Sequence, residues 1–239
     1  MAREWIYKIG GTGTGLTQDE IDNNMYCIYG SLSGLYGFTL KAACAVIGNF
    51  YRESNCNPGI YETSHGGTLD NLPYFPGGMG LMQWTDYPAY QSEYPNPLPW
   101  TAQKEGKNWY DGNFQCWLVN QCDNSELTDM GYGQGPRWGW QTSSTWPSMS
   151  FDTFKKSGNL SLDYLTEVFF YCAEWHYSVE DGTLKYRKEW AAYAYELLKG
   201  THPIPPGGSD TPNYVYAIMA LIKKKRREGK DNGRGFLRV

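Results

Sequence analysis

Long apolar runs are absent from this chain of 239 residues. The longest late stretch, Tyr214 to Ile222, falls far short of the roughly 18 apolar residues of a membrane span, so no membrane insertion is expected. The N-terminus, MAREWIYKIGGTGTG, lacks the apolar centre of an export signal, which predicts a protein made and first folded in a cytoplasm. Charge is also scarce: 19% of residues are charged, and 21 Lys and Arg against 25 Asp and Glu give a net charge of −4. Binding nucleic acid takes a phosphate-neutralising surface, so no nucleic-acid partner is expected. Only three histidines and six cysteines are present. Cys116 and Cys122 are spaced too widely for the usual zinc pair and have no matching second pair, so neither metal nor other cofactor is expected. Cys27, Cys44, Cys56, Cys116, Cys122 and Cys172 read mostly as reduced, buried small hydrophobes. A cysteine peptidase or amidase needs an exposed thiolate near a histidine, and Cys44 would have to leave an apolar helix face to meet His65.

Aromatic residues are plentiful, with 10 Trp, 20 Tyr and 9 Phe. They have two readings. They fill an irregular core with their polar tips wet, or some line a carbohydrate groove, where flat sugar faces pack on rings. The 28 Gly and 13 Pro point to many turns and long loops around the core.

Residues 1 to 16 read as an arm with a Gly-rich joint, 17 to 200 as the main domain, and 201 to 239 as a linker and tail. Thr17-x-x-Glu20 is a capping box that opens a helix carrying Ile21, Met25, Ile28 and Leu32. Gly34 and Gly37 are expected to break it. A second helix starts near Thr39, with Leu40, Cys44, Ile47 and Tyr51 on one face, and ends between Ser54 and Asn57 before Pro58. Residues 86 to 146 read as loop with one short helix near Trp109 to Val119. Ser161 is expected to cap a helix through Leu162, Leu165, Phe169, Cys172 and Trp175. Another runs from about Leu184 to Lys199. The segment THPIPPGGSDTP is a linker. The basic run Lys223 to Arg227 is either a solvated helix end or an attractor for anionic polymers.

Glu53 is the informative carboxylate. At about 100° per residue it falls about 120° from the centre of its helix's apolar face, at the border of core and solvent. It also stands in the last turn, where the macrodipole disfavours negative charge. Partial desolvation and the dipole together predict a raised pKa, the property a general acid needs. Further along, Gly77, Gly78 and Gly80 permit close backbone approach, and Leu81-Met82-Gln83-Trp84 supplies two apolar anchors, an amide and an indole. A Gln amide both donates and accepts, which suits sugar N-acetyl and hydroxyl groups.

Taken together, Glu-Ser-x-x-x-Pro at 53 to 58 and Gly-Met-Gly-Leu-Met-Gln at 78 to 83 resemble the muramidase and lytic transglycosylase superfamily, and within it the phage tail lysozyme family. IGNFYRESNCNPGIYE is similar to that family's catalytic helix and the turn after it, and GMGLMQWT to its next motif. LTQDEIDNNMYCIYGSL resembles the opening helix and VFFYCAEWH the late one. The resemblance implies a mainly α (α+β lysozyme-like) fold: a helical core, a catalytic Glu ending a central helix, and long loops with room for a small β-hairpin lining a groove. Glu53 matches the catalytic acid, Ser54 the small polar residue after it, and Gly80 and Gln83 the groove-lining pair. Trp84 adjoins that pair. Tyr171 and Glu174 fall among the late helix's polar groups, with Trp175-His176 replacing the expected Arg-Pro; Ser54, Gly80, Gln83, Trp84, Tyr171 and Glu174 are together the expected substrate-binding residues.

The implied chemistry is cleavage of a β-1,4 bond between MurNAc and GlcNAc in peptidoglycan glycan strands, by an enzyme carried on a phage tail among other tail proteins. A second carboxylate (Glu62, Asp70, Asp86 or Glu174) would activate water. Alternatively the muramyl 6-hydroxyl attacks and leaves an anhydro product. A carboxyl separation of about 5 Å would indicate retention and about 6.5 to 9.5 Å inversion. A non-catalytic wall-binding or structural tail protein would keep the same fold.

Overall fold

The computed structural model describes residues 3–11, 13–64, 66, 68–85, 95–124, 138–174 and 183–204. His65, Asp86, Trp175, His176, most of the expected linker and the basic run lie outside them. A unit spanning Met1–Pro206 contains all the described residues, and a second unit, Gly207–Val239, lies outside them.

Helix α1 (Gln18–Tyr36) opens on the expected capping box: the Glu20 N–H donates to the Thr17 hydroxyl at 3.4 Å, and the Thr17 N–H donates to the Glu20 carboxylate at 2.7 Å. It ends at Gly37, whose φ of 76° closes the left-handed cap. Gly34 does not break it, because a helical glycine costs only about 1 kcal/mol and removes no hydrogen bond. Helix α2 (Leu40–Ser54) is capped by Thr39 and stopped by Asn55 in the left-handed region. Every residue from Ala42 to Tyr51 is buried, so α2 is central rather than one-sided.

Helices α3 (Pro97–Lys104), α4 (Gly112–Asn120), α5 (Phe151–Lys156), α6 (Leu162–Ala173) and α7 (Thr183–Leu198) follow. The reading of 86 to 146 as loop with one helix is corrected by α3. Its prolines occupy the first turn, where a missing N–H loses no helical bond, and the Asn96 side chain caps it at the Leu98 N–H. Helix α5 also went unforeseen, being a short segment behind the Ser150 cap.

Helices α1, α6 and α7 surround α2. Helix α7 crosses it so closely that a Cβ on Gly48 would lie 2.4 Å from the Arg187 carbonyl oxygen and 2.8 Å from the Ala191 Cβ. Phe38, Phe50, Phe151, Phe154 and Phe169 fill the core with Trp140 against them. For these rings, filling a core is the reading that holds.

The β structure is small. Strand β1 (Gly10–Gly11) pairs in parallel with β2 (Ile60–Tyr61), and Met79 and Trp84 exchange both backbone hydrogen bonds at 3.0 Å across a tight turn. The N-terminal arm is tied down at Ile6 and Lys8. Asn24 accepts from the Ile6 N–H and donates to its carbonyl, and Asn57 does the same for Lys8.

Candidate active site

Glu53 stands one residue before the end of α2, with its side chain 25% exposed. Two left-handed residues follow at once, Asn55 at φ 50° and Cys56 at φ 56°. They turn the chain sharply into the segment that leads to β2. Ser54 is buried, and its hydroxyl stands 2.8 Å from the Phe50 carbonyl and 3.0 Å from the Leu81 carbonyl. The end of the Glu53 helix is thereby fastened to the turn that carries Gln83.

That turn is held from below. Gly80 has φ 72°, and a Cβ there would strike the Gln115 Oε1 and the Leu98 side chain, both at 2.6 Å. Gln115 is fully buried on α4: its Oε1 accepts from the Leu81 N–H at 2.7 Å, and its amide donates to the Pro58 and Trp109 carbonyls. Asn96 donates to the Gly77 and Trp84 carbonyls. Gln83 itself adopts φ 51°, and its amide nitrogen donates to the Gly80 carbonyl at 2.8 Å. Its carbonyl oxygen lies against Gly78, where a Cβ would come within 2.7 Å. Trp84 is 3% exposed and belongs to the core beneath the turn. Glu62 borders the same turn: its backbone N–H donates to the Gly78 carbonyl, and its carboxylate accepts from the Gly78 N–H and the Ser64 hydroxyl.

On the other side of Glu53 lies Arg187 of α7, 1% exposed, which the sequence reading did not single out. Its Nη2 forms ion pairs with both Glu53 and Glu174, the latter at 3.0 Å. Its Nη1 donates to the Asn49 carbonyl at 3.1 Å, a favourable place for a cation near a helix C-terminus. Its guanidinium also sits 5.0 Å from the Phe170 ring centre. Glu174, just past the end of α6, is only 4% exposed. Burial pushes its carboxyl up to about 8, Arg187 pulls against that, and the Glu53 charge adds to it. Glu174 is thus held as a raised acid by its depth in the protein. Tyr171, one turn earlier on α6, is half-buried and stacks with Trp146 at 6.3 Å; burial raises its phenol.

All six cysteines are free and buried. Burial pushes Cys27 up to about 12 and Cys172 up to about 11, and raises Cys44, Cys56, Cys116 and Cys122 well above the ordinary thiol value. Thiols in this state are poor nucleophiles at neutral pH, which weighs against cysteine-peptidase chemistry. Among the described residues no group of three or more His, Cys, Asp or Glu is arranged to hold a metal ion, and no helix is long and apolar enough to cross a membrane.

The mainly helical fold, with a carboxylate ending its central buried helix and a glycine-rich turn fastened beside it, is lysozyme-like. The phage tail lysozyme family matches residues 23–198, and the chain belongs to that family. Membership carries lysozyme-like, peptidoglycan-degrading activity and association with the virion tail at the level of the family. A comparison with curated proteins finds no match.

Proposed function

We propose that the protein is a muramidase-like glycosidase that cuts β-1,4 bonds between MurNAc and GlcNAc from a phage tail tip, with Glu53 as the general acid. One observation carries the reading: Glu53 stands in the last turn of the buried helix with its side chain 25% exposed, and the next residue is hydrogen-bonded to the turn bearing Gln83. A sugar oxygen can reach Glu53 from solvent, whereas Glu174 is sealed beneath it.

Glu53 in its acid form protonates the bridging oxygen. The C1–O bond then breaks, its electron pair stays with the leaving sugar, and positive charge develops at C1 and the ring oxygen. Gln83 and the backbone around Gly80 orient the N-acetyl and hydroxyl groups, while Ser54 and Trp84 serve by holding the turn. Tyr171 contributes to the groove from α6. A water or a sugar hydroxyl adds to C1, and its proton returns to the carboxylate.

A second reading, lytic transglycosylation to a 1,6-anhydro product, is favoured by the place of Glu174. It shares one guanidinium nitrogen with Glu53 and is almost wholly buried, so it cannot activate water on the opposite face of a sugar. Hydrolysis then requires another base, for which Glu62 beside the turn, Asp70 and Asp86, the last outside the described residues, remain. Mass spectrometry of muropeptides released from purified walls tests both. A hydrated muramyl end supports hydrolysis and a 1,6-anhydro end supports transglycosylation. Cut stem peptides with intact glycan refute both.

A further inference from the structure

We propose that Arg187 is a positioning residue that joins Glu53 and Glu174 into one proton-holding unit: Glu174 keeps the proton in the free protein, and Glu53 receives it when a glycan covers the site. The inference rests on the reading of Glu53 as the acid.

The geometry is that of a shared cation. One nitrogen, Nη2, serves both carboxyl groups, while Nη1 is fixed on the Asn49 carbonyl and the guanidinium lies over Phe170. The cation cannot leave, because its side chain is 1% exposed. With both carboxyls ionised the cluster would carry one net negative charge in a largely dry slot, which desolvation opposes. One proton makes it neutral. In the free protein the proton is better placed on the deeper carboxyl: the Glu174 side chain is 4% exposed against 25% for Glu53, and burial pushes the Glu174 carboxyl up.

A bound sugar removes that difference by covering Glu53. The O–H bond at Glu174 then breaks and one forms at Glu53. The cluster stays neutral through that transfer, so no net charge enters the buried space before the bond breaks. Glu53 passes the proton to the bridging oxygen, and the proton of the attacking water or sugar hydroxyl restores the unit. Among the described residues, the charged and titratable groups on the packed elements include Arg52 on α2, Lys188 on α7, and Glu167 and Tyr171 on α6. Glu167 and Lys188 pair with each other at 3.1 Å, and Arg52 works against the proton on Glu174.

The test is the pH profile of glycan-end release from purified walls by the full chain and three variants. Glu174→Gln has the shape of the protonated acid but has no acid proton to give. Its alkaline limb is expected to move down by at least about one pH unit, so that its deficit against wild type grows about fivefold or more between pH 6 and pH 8. Glu174→Asp keeps an acid proton and should hold the wild-type limb while losing rate. Arg187→Lys keeps the charge but not the fork, and should lower kcat more than it raises KM. A Glu174→Gln deficit that is the same at every pH, or a Glu174→Asp limb displaced like that of Glu174→Gln, overturns the inference. Loss of activity in Glu53→Gln together with an unmoved Glu174→Gln limb overturns this inference alone. Activity retained in Glu53→Gln removes the proposed function beneath it.

Discussion

The helical half of the protein and its loop half are held together by different forces. Around α2, side chains and close-packed backbone do the work. Gly48 lets α7 come within contact, Tyr51 stacks on Trp190 at 3.4 Å, and Phe50 meets Phe169 edge-on. Around residues 57–85, buried amides bind backbone instead. Asn57 holds the arm, Asn96 holds Gly77 and Trp84, and Gln115 holds Pro58, Leu81 and Trp109. The difference follows from periodicity. A helix satisfies its own backbone and has only to bury a surface, whereas a loop near the core must find a partner for each N–H and C=O it hides. The candidate site lies on the seam between them, with Glu53 from one half, Gln83 from the other and the Ser54 hydroxyl joining the two.

If loop order rests on buried amides, an apolar replacement of similar size should be ruinous there. Gln115→Leu leaves the Leu81 N–H and two carbonyls without their partner, and is expected to cost about 3–6 kcal/mol, read by denaturant unfolding. A loss under 1 kcal/mol would break the contrast. In the helical half the sensitive quantity is volume. Gly48→Ala sets a methyl against the Arg187 backbone and should cost about 1–3 kcal/mol through overpacking. It should also lower glycan cleavage, because α7 carries the guanidinium that Glu53 uses.

A pH-dependent effect separates the buried carboxyl from ordinary ones. The Glu174 carboxyl lies above its ordinary 4.5, at about 8, in the folded protein. Between those values the folded state holds a proton that the unfolded state has released. Its contribution is therefore complete below the ordinary value and is lost as pH rises toward 8. The wild-type thermal midpoint should fall over that window, and Glu174→Gln should flatten the fall. Smallest of all is Lys156→Ala on the exposed pair with Asp152, which should stay within about 0.5 kcal/mol. A larger change would mean that surface charge matters more than either half's interior.

The same contrast explains what could be read from the sequence. The α1 capping box, the span of α2, the Ser161 cap and the extent of α7 were legible, because apolar spacing and cap residues are local signals. Glu53 and the 78–83 turn stood out as motifs, and their proximity is made by Ser54, the residue immediately after Glu53. Arg187 was not legible: an arginine amid Lys185, Lys188 and Glu189 reads as one more solvated charge, and only the crossing at Gly48 turns it inward. The tie between Gln115 and Leu81 joins residues 34 apart in sequence, which no local pattern marks. A polar residue inside the apolar run NFQCWLV was the one available hint.

The central claim is that the Glu53 carboxyl delivers the proton that breaks the glycosidic bond. Glu53→Gln keeps the shape, the Arg187 contact and the fold while removing the acid. Turbidity clearing of purified cell walls, measured alongside binding to the same walls, tests the claim directly. The account predicts that clearing falls at least about a hundredfold, the contribution expected of a general acid, while wall binding persists. Clearing at the wild-type rate would contradict it.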